Sequence, residues 1–362
     1  MSKPRLIAFY LPQFYPTKEN DEWWEPGFTE WTNVAKARPL FKGHYQPRIP
    51  RDLGFYDLRV PETREQQVLL AKEAGIEGFC YWHYWFAGQR LLDKVFREVV
   101  ESGKPDFPFC LCWANHSWYQ KTWEPNKPDK LLIEQTYPGE QDYVAHFYAM
   151  LPAFKDKRYI KVNGKLLYGV FSSLTMSKEQ FCLFSTTWNK LAKSNGLEGF
   201  EFFGFCQDFS KIDIIRDKGF NRITMDFVMD MLKTSSFGVN VIKRLYRSIS
   251  GYPNKLYDYE DYVDYSLKHF DTSDYMYPCI VPNFDHSPRS GNKGFIFHKS
   301  TPEKWTNFCS KVFDMYSNRS HEDNIIFIKA WNEWGEGNYL EPDSKYGKKY
   351  ITATRIAYNG VK

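Results

Sequence analysis

The stretch ETREQQVLLAKEAGIEGFCYWHYW, residues 62–85, contains the pattern that decides the fold. Its first part, Glu62–Ala74, begins with acidic residues just after Pro61 and is followed by Gly75, which predicts a helix with a glycine C-cap. The second part, Gly75–Trp85, is an almost continuously apolar run, which is typical of a parallel strand buried on both faces. A helix that leads directly into such a strand predicts an alternating α/β fold.

The same alternation recurs along the whole chain. Eight apolar runs bounded by turn residues predict strands at Leu6–Leu11, Gly75–Trp85, Phe107–Asn115, Leu166–Ser172, Phe200–Gln207, Arg222–Phe227, Tyr275–Asp285 and Asn324–Trp334. Eight further stretches predict helices at Glu62–Ala74, Leu91–Ser102, Asp142–Phe154, Ser177–Ser194, Ile212–Lys218, Tyr259–His269, Pro302–Tyr316 and Tyr350–Tyr358. Each strand–helix–strand unit implies a right-handed crossover between parallel strands. Eight units predict a closed (β/α)8 TIM barrel.

A doubly wound open sheet is the alternative to the barrel. No G-x-G-x-x-G motif follows the first predicted strand, which disfavours a dinucleotide-binding version of such a sheet. The chain has 362 residues and no linker-like, low-complexity or repeated segment. Barrels of this type reach about 250–400 residues as one unit, so we predict a single catalytic domain over residues 1–362.

Two long segments between the predicted elements are expected to surround the site. Residues 20–50 show no clear helix or strand pattern and contain several tryptophans. Loops longer than about 15 residues in a compact domain are usually functional, so this one is interpreted as the first wall of a substrate cleft. The segment Met229–Tyr257 is basic and is interpreted as a lid or an acceptor-binding insertion.

Composition and charge exclude several classes of partner. The formal net charge is +4, and the basic residues are dispersed, which argues against nucleic-acid binding. The N-terminal stretch lacks a signal-like apolar region, and no stretch is apolar enough to span a bilayer. Five of the seven cysteines fall in predicted strands, where thiols act as small core hydrophobes. A reduced, cytoplasmic protein is the expectation.

The candidate site lies at the C-terminal ends of the predicted strands, where barrel enzymes build their active sites. Ten of the twelve tryptophans fall at these ends or in the loops that follow them. Such clustering favours platforms for sugar rings over core packing, which remains the alternative. The candidate sugar contacts are Tyr10, Gln13, Trp24, Trp31, Tyr81, His83, Tyr84, Trp113, Asn115, His116, Asp226, Asn283, Asp285, Arg289, Asn332 and Trp334.

Two glutamates after the last strand are the predicted catalytic residues. Glu333 and Glu336 flank Trp334, with Trp331 just before them. Cleavage of a glycosidic bond needs one carboxyl group that stays protonated and one that is ionised. Aromatic walls and a neighbouring carboxylate raise the pKa of one member of such a pair. The alternative is a loop with two solvated acids, one of them capping a helix.

A metal site built from His83, His116 and His286 is a further alternative. No H-x-H or H-E-x-x-H spacing supports it, so these histidines are interpreted as hydroxyl-binding or structural. No metal and no cofactor are expected, and the expected partner is an oligosaccharide or polysaccharide substrate.

Several motifs resemble a known family. They are NDEWWEPGFTEWTNV (Asn20–Val34), FKGHYQP (Phe41–Pro47), LGFYDL (Leu53–Leu58), GIEGFCYWHYWF (Gly75–Phe86) and AWNEWGEGNYLEPD (Ala330–Asp343). Together they resemble the WbsX-type domain, which occurs in O-antigen and capsular polysaccharide gene clusters. Proteins with this domain are labelled glycosyltransferases but are similar to glycoside hydrolase family 99, the endo-α-mannosidases.

The resemblance implies a (β/α)8 barrel and a retaining reaction through a 1,2-anhydro sugar. It implies that Glu333 is the base for the substrate 2-hydroxyl. Glu336 would be the general acid and then the base that activates the incoming water or acceptor. Two departures affect substrate choice: His116 stands where the family usually has an acid, and Gln120-Lys121 alters a basic position. The segment Phe284–Arg289 resembles the family's W-D-N-T-x-R motif.

Three functions are compatible with these features. The first is a retaining glycosidase that cleaves an α-linked glycan within the chain, and the second is a glycosyltransferase that makes a surface polysaccharide. A nucleotide-sugar transferase usually carries a D-x-D motif, and no convincing one is present. The third is a lectin-like protein, which needs the aromatic cleft but not the two acids.

Overall fold

The computed structural model describes residues 2–120, 129–234, 253 and 255–361. Its centre is a barrel of eight parallel strands, numbered β1 to β8 in chain order. They are β1 (Arg5–Tyr10), β2 (Gly78–Phe86), β3 (Phe109–Trp113), β4 (Lys165–Val170), β5 (Phe200–Phe205), β6 (Arg222–Met225), β7 (Met276–Ile280) and β8 (Ile325–Ile328). Each strand pairs with the next, and β8 pairs with β1, so the sheet closes on itself.

The (β/α)8 barrel prediction is therefore confirmed, and the open sheet is excluded because β1 has strand partners on both sides. All eight predicted strands and all eight predicted helices are present. The helix ends differ from prediction by three residues or fewer, as at Lys94–Ser102. The seventh and eighth strands end earlier than predicted, because the apolar pattern of the sequence continues into the loops that follow them.

Helices cover the outside of the barrel and the loops at its C-terminal end. The α-helices are Lys18–Trp23, Glu30–Lys36, Pro61–Ala74, Lys94–Ser102, Glu140–Phe154, Lys178–Ser194, Ile212–Asp217, Val228–Thr234, Tyr259–His269, Ser287–Ser290, Pro302–Tyr316 and Lys349–Gly360. Short 3₁₀ turns lie at Phe209–Lys211, Gly291–Lys293 and Trp334–Glu336. Short additional strands lie at Gln89–Leu91, Trp118–Gln120, Lys130–Ile133, Lys161–Val162, Leu256–Asp258, Ile296–His298, Asn332–Glu333 and Asn338–Tyr339.

The strands bury side chains on both of their faces. Inside the barrel, Phe9 stacks on Trp82 at 4.7 Å between ring centroids and also contacts Phe327. Outside it, neighbouring residues of the same strands face the helices: the Tyr10 hydroxyl donates to Gln67, and Tyr81 packs on Phe96. Alternate residues of a strand point to opposite faces, and each large apolar side chain that is fully buried contributes about 1.5–3 kcal/mol.

The prediction that residues 20–50 lack helices was wrong. Lys18–Trp23 and Glu30–Lys36 are helical, and both begin at a threonine N-cap. The Thr29 side chain accepts a hydrogen bond from Trp31 N, and Thr32 completes a capping box with Thr29. These helices have only six and seven residues, which is too short for an apolar repeat to show in the sequence. Hydrogen bonds at the caps therefore define them better than periodicity does.

Other sequence predictions have mixed outcomes. All seven cysteines are free thiols, and Cys182 is the exposed one. In the part of the chain that the structure describes, no helix is long and apolar enough to cross a membrane. The proposed insertion at Met229–Tyr257 lies largely outside the described residues, as do Trp123 and Lys121.

Candidate active site

A cavity of about 610 Å³ opens at the C-terminal ends of the strands. One wall comes from the first loop and carries Trp23, Trp24 and Phe28, and the opposite wall carries Trp118 and Tyr119 from a β-hairpin. The two walls touch, since Trp23 and Trp118 pack edge to face at 5.8 Å and Gln120 donates to the Trp23 carbonyl. Trp82 and Phe171 form the apolar floor beside the two predicted catalytic glutamates.

One arginine joins three carboxylates on the polar side of this cavity. Arg289 Nη2 donates to Glu333 Oε1 at 2.7 Å, and Nη1 donates to Glu336 Oε1 at 2.7 Å. The same guanidinium contacts Glu30 Oε2 through Nε at 3.2 Å and through Nη2 at 3.0 Å. The four residues come from three separate loops, after β1, β7 and β8. The predicted catalytic pair is therefore brought together with Arg289 in a single cluster.

The two predicted catalytic carboxyls have opposite protonation preferences. Burial raises the pKa of Glu333 to about 8, and the neighbouring Glu336 and Glu30 add to the rise while Arg289 opposes it. Burial acts in the same direction on Glu336, but Arg289, Lys329 and His286 outweigh it and lower the pKa of Glu336. At neutral pH the pair therefore holds one proton, mainly on Glu333.

A lysine that the sequence did not single out lies on the cavity floor. Lys329 directly follows β8, and its Nζ donates to Asp226 Oδ2 at 2.8 Å. Burial alone would lower the pKa of Lys329, but the charges of Asp226 and Glu336 raise it. Lys329 therefore stays charged and favours the ionised form of Glu336.

The turn that carries the two glutamates is held from behind by a buried hydrogen-bond network. Glu341 accepts from Trp334 Nε1 at 2.6 Å, from Gln67 Nε2 at 2.6 Å and from the Tyr56 hydroxyl at 2.8 Å. Asn332 pairs with the backbone of Leu11 through both its amide oxygen and its amide nitrogen. Because buried polar groups are costly to leave unpaired, this network fixes the backbone on both sides of Glu333.

A second network connects the turn to residues 41–48. Asp285 Oδ2 accepts from Gln46 Nε2 at 2.7 Å and from His44 Nε2 at 2.8 Å, and His44 Nδ1 in turn accepts from Leu40 N. Arg48 donates to the Gly337 carbonyl at 2.9 Å. Burial would raise the pKa of Asp285, but the hydrogen bond from His44 and the charge of Arg48 hold it at about 2. Asp285 N also donates to the Glu336 carbonyl at 2.6 Å.

Gly335 lies between the two glutamates, and its lack of a side chain makes room for the carboxylate cluster. A Cβ built at this position would lie 2.5 Å from Glu30 Oε2 and 2.9 Å from Arg289 Nε. We expect Gly335→Ala to force these two groups apart and to lower kcat at least about 10-fold, since small displacements of positioning groups are costly in catalysis. Steady-state kinetics would test this, with Gly360→Ala as the matched control, because an added Cβ at Gly360 meets no atom within 4 Å; unchanged kcat in Gly335→Ala would contradict the expectation.

Of the sixteen predicted sugar contacts, five line the cavity: Gln13, Trp24, Tyr84, His116 and Arg289. Gln13 accepts from the Tyr84 hydroxyl and donates to Glu30, so these residues extend the polar wall. His116 lies 5.6 Å from Phe171 between ring centroids, and burial lowers its pKa, which favours a neutral imidazole. Their contact with substrate stays a prediction.

The other eleven do not line the cavity, so their direct contact with a sugar stays an untested prediction that the structure does not support. Four belong to the outer face of the strands and pack against helices: Tyr10, Tyr81, His83 and Trp113. The remaining seven are buried beneath the cavity: Trp31, Asn115, Asp226, Asn283, Asp285, Asn332 and Trp334. The first four are excluded by strand alternation, and the other seven have internal partners such as Tyr137 for Asn115 and Lys329 for Asp226.

The tryptophan cluster divides into two groups. Trp23, Trp24, Trp82 and Trp118 line the cavity, as the platform interpretation requires. Five others are buried under the barrel mouth: Trp31, Trp85, Trp113, Trp331 and Trp334. For these five the core alternative is correct. Trp188 and Trp305 lie on helices, as predicted.

The histidines do not form a common metal site. His83 Nε2 lies 2.7 Å from His146 Nε2 behind β2, whereas His116 and His286 line the cavity. Among the residues that the structure describes, no group of three or more His, Cys, Asp and Glu side chains is placed to hold a metal ion.

Sequence reasoning placed Glu30 in the loop that was expected to form the first wall of the cleft, but not beside Glu333 and Glu336, and it missed Lys329 and Phe171 as cavity residues. Glu30 lies in the motif Asn20–Val34, whose tryptophans drew most attention. The signal that could have located Glu30 at the start of a helix is its position directly after Thr29, the N-cap. Lys329 had no comparable signal, because a single lysine after an apolar strand resembles an ordinary surface residue.

Comparisons with known proteins agree on family and fold. A family model described as Glycosyltransferase WbsX matches residues 6–354. Two proteins named "Uncharacterized protein WxcX", from two strains of Xanthomonas campestris pv. campestris, are each 35% identical over 356 residues. The match covers 97% of this chain and 49% of each relative, so the chain spans about half the length of the curated relatives it matches.

Two solved structures share the fold at low sequence identity. One, named "Glycoside hydrolase-like protein", has a TM-score of 0.61 at 13% identity and covers 99% of this chain and 94% of that chain. The other is the GH99 endo-alpha-mannosidase from Bacteroides thetaiotaomicron, with a TM-score of 0.58 at 12% identity, covering 99% of this chain and 98% of that chain. At this level of identity, the likeness supports the barrel architecture alone.

Proposed function

The chain belongs to the family described as Glycosyltransferase WbsX, and on that premise we propose that it cleaves or transfers a glycosidic bond with retention of configuration. The observation that carries the proposal is the pair Glu333 and Glu336, which lines an aromatic cavity at the barrel mouth and shares Arg289. The raised pKa of Glu333 and the lowered pKa of Glu336 are consistent with one protonated and one ionised carboxyl. Glycoside chemistry needs such a pair. Hydrolysis of an α-linked glycan is the first form of the proposal.

The proposed reaction follows the roles implied by the family resemblance. Glu333 accepts the proton of the substrate 2-hydroxyl as that oxygen attacks the anomeric carbon, and Glu336 donates a proton to the leaving glycosidic oxygen. The product is a 1,2-anhydro sugar. In the second step Glu336 accepts a proton from water or from an acceptor hydroxyl, which attacks the anomeric carbon, and Glu333 returns its proton to the 2-oxygen. Two inversions give net retention.

The protonation of Glu333 and Glu336 bears on these roles. The electrostatics place the proton mainly on Glu333, whereas the proposed first step requires it on Glu336. The form with the proton on Glu333 and the form with the proton on Glu336 contain the same number of protons, so their ratio does not depend on pH. They interconvert when one proton moves from one carboxyl to the other. A substrate hydroxyl that donates to Glu333 stabilises the ionised form of Glu333 and thereby favours the reactive arrangement.

The pH dependence of kcat/KM should reveal the single shared proton. The pKa of Glu333 is raised to about 8, so the shared proton is lost as pH rises through about 8. The pKa of Glu336 is lowered, so a second proton binds only below the usual glutamate range. We therefore expect a plateau between these limits and a decline above pH 8 and at acid pH. A profile with a sharp maximum near pH 5 would contradict this assignment.

Product analysis tests the proposed function directly. The protein would be incubated with a panel of short α-linked oligosaccharides in ¹⁸O-labelled water, and the products analysed by mass spectrometry and NMR. We expect the label at the new anomeric centre with the α configuration retained. Tight binding with no turnover of any bound substrate would favour a non-catalytic glycan-binding protein instead.

Transfer to a sugar acceptor is the second candidate, favoured by the family's description as a glycosyltransferase. In that case an acceptor hydroxyl replaces water in the second step, and the products are unlabelled and longer. We propose a place in the metabolism of bacterial surface polysaccharide, such as O-antigen or capsule, within the cytoplasm. We further propose that residues 1–362 form one catalytic unit, of which the longer curated relatives contain a counterpart.

A further inference from the structure

Glu30 is a third carboxylate in the site and has hydrogen-bond partners on both oxygens. It is the first residue of the helix Glu30–Lys36. Its Oε1 accepts from Gln13 Nε2 at 3.1 Å, and its Oε2 accepts from Arg289 Nε at 3.2 Å. The helix N-terminus favours a negative charge at this position. Glu30 is therefore held in place from two sides and faces the guanidinium that contacts Glu333 and Glu336.

The contact with Arg289 has a geometric consequence for the predicted catalytic pair. A guanidinium is planar, so fixing its Nε edge fixes the directions of Nη1 and Nη2. In this structure those two nitrogens donate to different carboxyls, Nη1 to Glu336 and Nη2 to Glu333. Gly335 packs closely against both Glu30 and Arg289, and a side chain at this position would push the two groups apart. The glycine therefore permits their contact. Glu30 thus determines how Arg289 is shared by the pair.

We propose that Glu30 is a positioning residue of the reaction, which holds Arg289 across Glu333 and Glu336 and so keeps a single proton on that pair. The inference rests on the proposed function and deepens it, since Glu30 acts through Arg289 and not on the sugar. Without Glu30, Arg289 is free to turn fully toward Glu333 and to form a simple ion pair with it. A larger fraction of the molecules would then have both carboxyls ionised at neutral pH, and those molecules would lack the acid.

The direction in which the pKa of Glu333 changes depends on all the charged groups that face it. Arg289 and Lys329 favour the ionised form of Glu333, whereas Glu336 and Glu30 disfavour it, and burial disfavours it most. The Tyr84 hydroxyl also faces this group and is neutral below strongly alkaline pH because burial raises its pKa. Removing the charge of Glu30 removes one group that disfavours the ionised form of Glu333. It also strengthens the interaction of Glu333 with Arg289, which favours the ionised form. Both changes lower the pKa of Glu333.

The decisive measurement is the titration of Glu333 in the full chain, which does not depend on turnover. The protein is labelled with ¹³C at the glutamate carboxyl, and the signal that is lost in Glu333→Gln assigns Glu333. We expect Glu30→Gln to move that titration to lower pH by roughly one unit. The alkaline limit of kcat/KM should move by the same amount. Glu25→Gln is the matched control, because Glu25 lies in the same loop, is exposed and pairs with Lys36.

Each outcome decides the inference. An unchanged Glu333 titration in Glu30→Gln, with or without a loss of thermal stability, overturns it, since a merely structural role would affect stability alone. Glu30→Ala removes the same charge with a smaller side chain, so it must also move the Glu333 titration to lower pH. If Glu30→Gln does not fold, the titration in Glu30→Ala tests the inference in its place. Full turnover by Glu333→Gln and Glu336→Gln rejects the proposed function itself, whatever Glu30→Gln does to the titration.

Discussion

Glu336→Gln and Glu333→Gln are each expected to lower kcat for glycoside cleavage at least about 100-fold, the low end for general acid–base catalysis. Glutamine preserves the shape of the side chain but can neither lose nor donate the required proton. The two residues lie on one short turn with Arg289 between their carboxyls. Because glutamine is nearly the size of glutamate, the substitutions abolish proton exchange without opening a cavity. Kinetics on a cleaved α-linked oligosaccharide would measure the effect.

The matched control is again Glu25→Gln, an exposed glutamate of the first loop that pairs with Lys36. It should retain the kcat of the unaltered protein, and all variants should keep the same thermal unfolding midpoint within a few degrees. Turnover close to that of the unaltered protein in either Glu333→Gln or Glu336→Gln would reject the assignment of the catalytic pair.

Substrates with different leaving groups would assign the two roles. A good leaving group, such as a nitrophenolate, departs without protonation, so it relieves a variant that lacks the general acid. If Glu336 is the acid, activated substrates restore much of the cleavage step in Glu336→Gln and little of it in Glu333→Gln. The opposite pattern would mean that Glu333, the carboxyl with the raised pKa, is the general acid.

Arg289→Met is expected to have an effect of similar size, with a different dependence on pH. The substitution leaves Glu30, Glu333 and Glu336 without their shared cation, so both members of the catalytic pair become harder to ionise. We expect kcat/KM at neutral pH to fall at least about 100-fold and the acid limit of the profile to move to higher pH. The exposed Arg59→Met, which removes only a local pair with Asp57, is the control.

The stability of Arg289→Met should also depend on pH in a defined direction. With raised pKa values in the folded variant, the native state binds more protons than the unfolded state between the usual glutamate range and about pH 8. Stability therefore falls as pH rises through that window. Breaking a buried pair costs up to about 3–5 kcal/mol, and the loss of stability relative to the unaltered protein should be larger at pH 8 than at pH 5. A loss of stability that is equal at pH 5 and pH 8 would contradict this account.

The barrel could be predicted from sequence because its signal is distributed over many residues. Runs such as the one that became β2 are apolar on both faces, and helix ends carry glycine, as at Gly75, whose φ of 89° suits a left-handed C-cap. Errors concentrate where the pattern is local. The helix Glu30–Lys36 is set by one capping box, and the early end of β7 depends on loop packing that the apolar run does not encode.

The candidate site was predictable in part for a different physical reason. Position along a barrel strand indicates closeness to the mouth, but alternation decides which side chains face it. Tyr81 and His83 therefore lie on the helix side, while Trp82 between them faces the cavity. Buried tryptophans near the barrel mouth, such as Trp334, cannot be distinguished in the sequence from tryptophans that line the cavity. Charge pairing across loops, as between Glu30 and Arg289, is visible only in three dimensions.

The connection of Asp285 and Gly337 to residues 44–48 has a consequence for how activity arises. The groups that hold the predicted catalytic turn lie far apart in the sequence, and closure of the barrel itself joins β1 to β8. During synthesis, a growing polypeptide can therefore form most of its strands and helices before any competent centre exists. The proposed chemistry would become possible only after β8 is inserted. Transplanting the glutamate turn into another barrel would accordingly require transfer of the 41–48 segment as well.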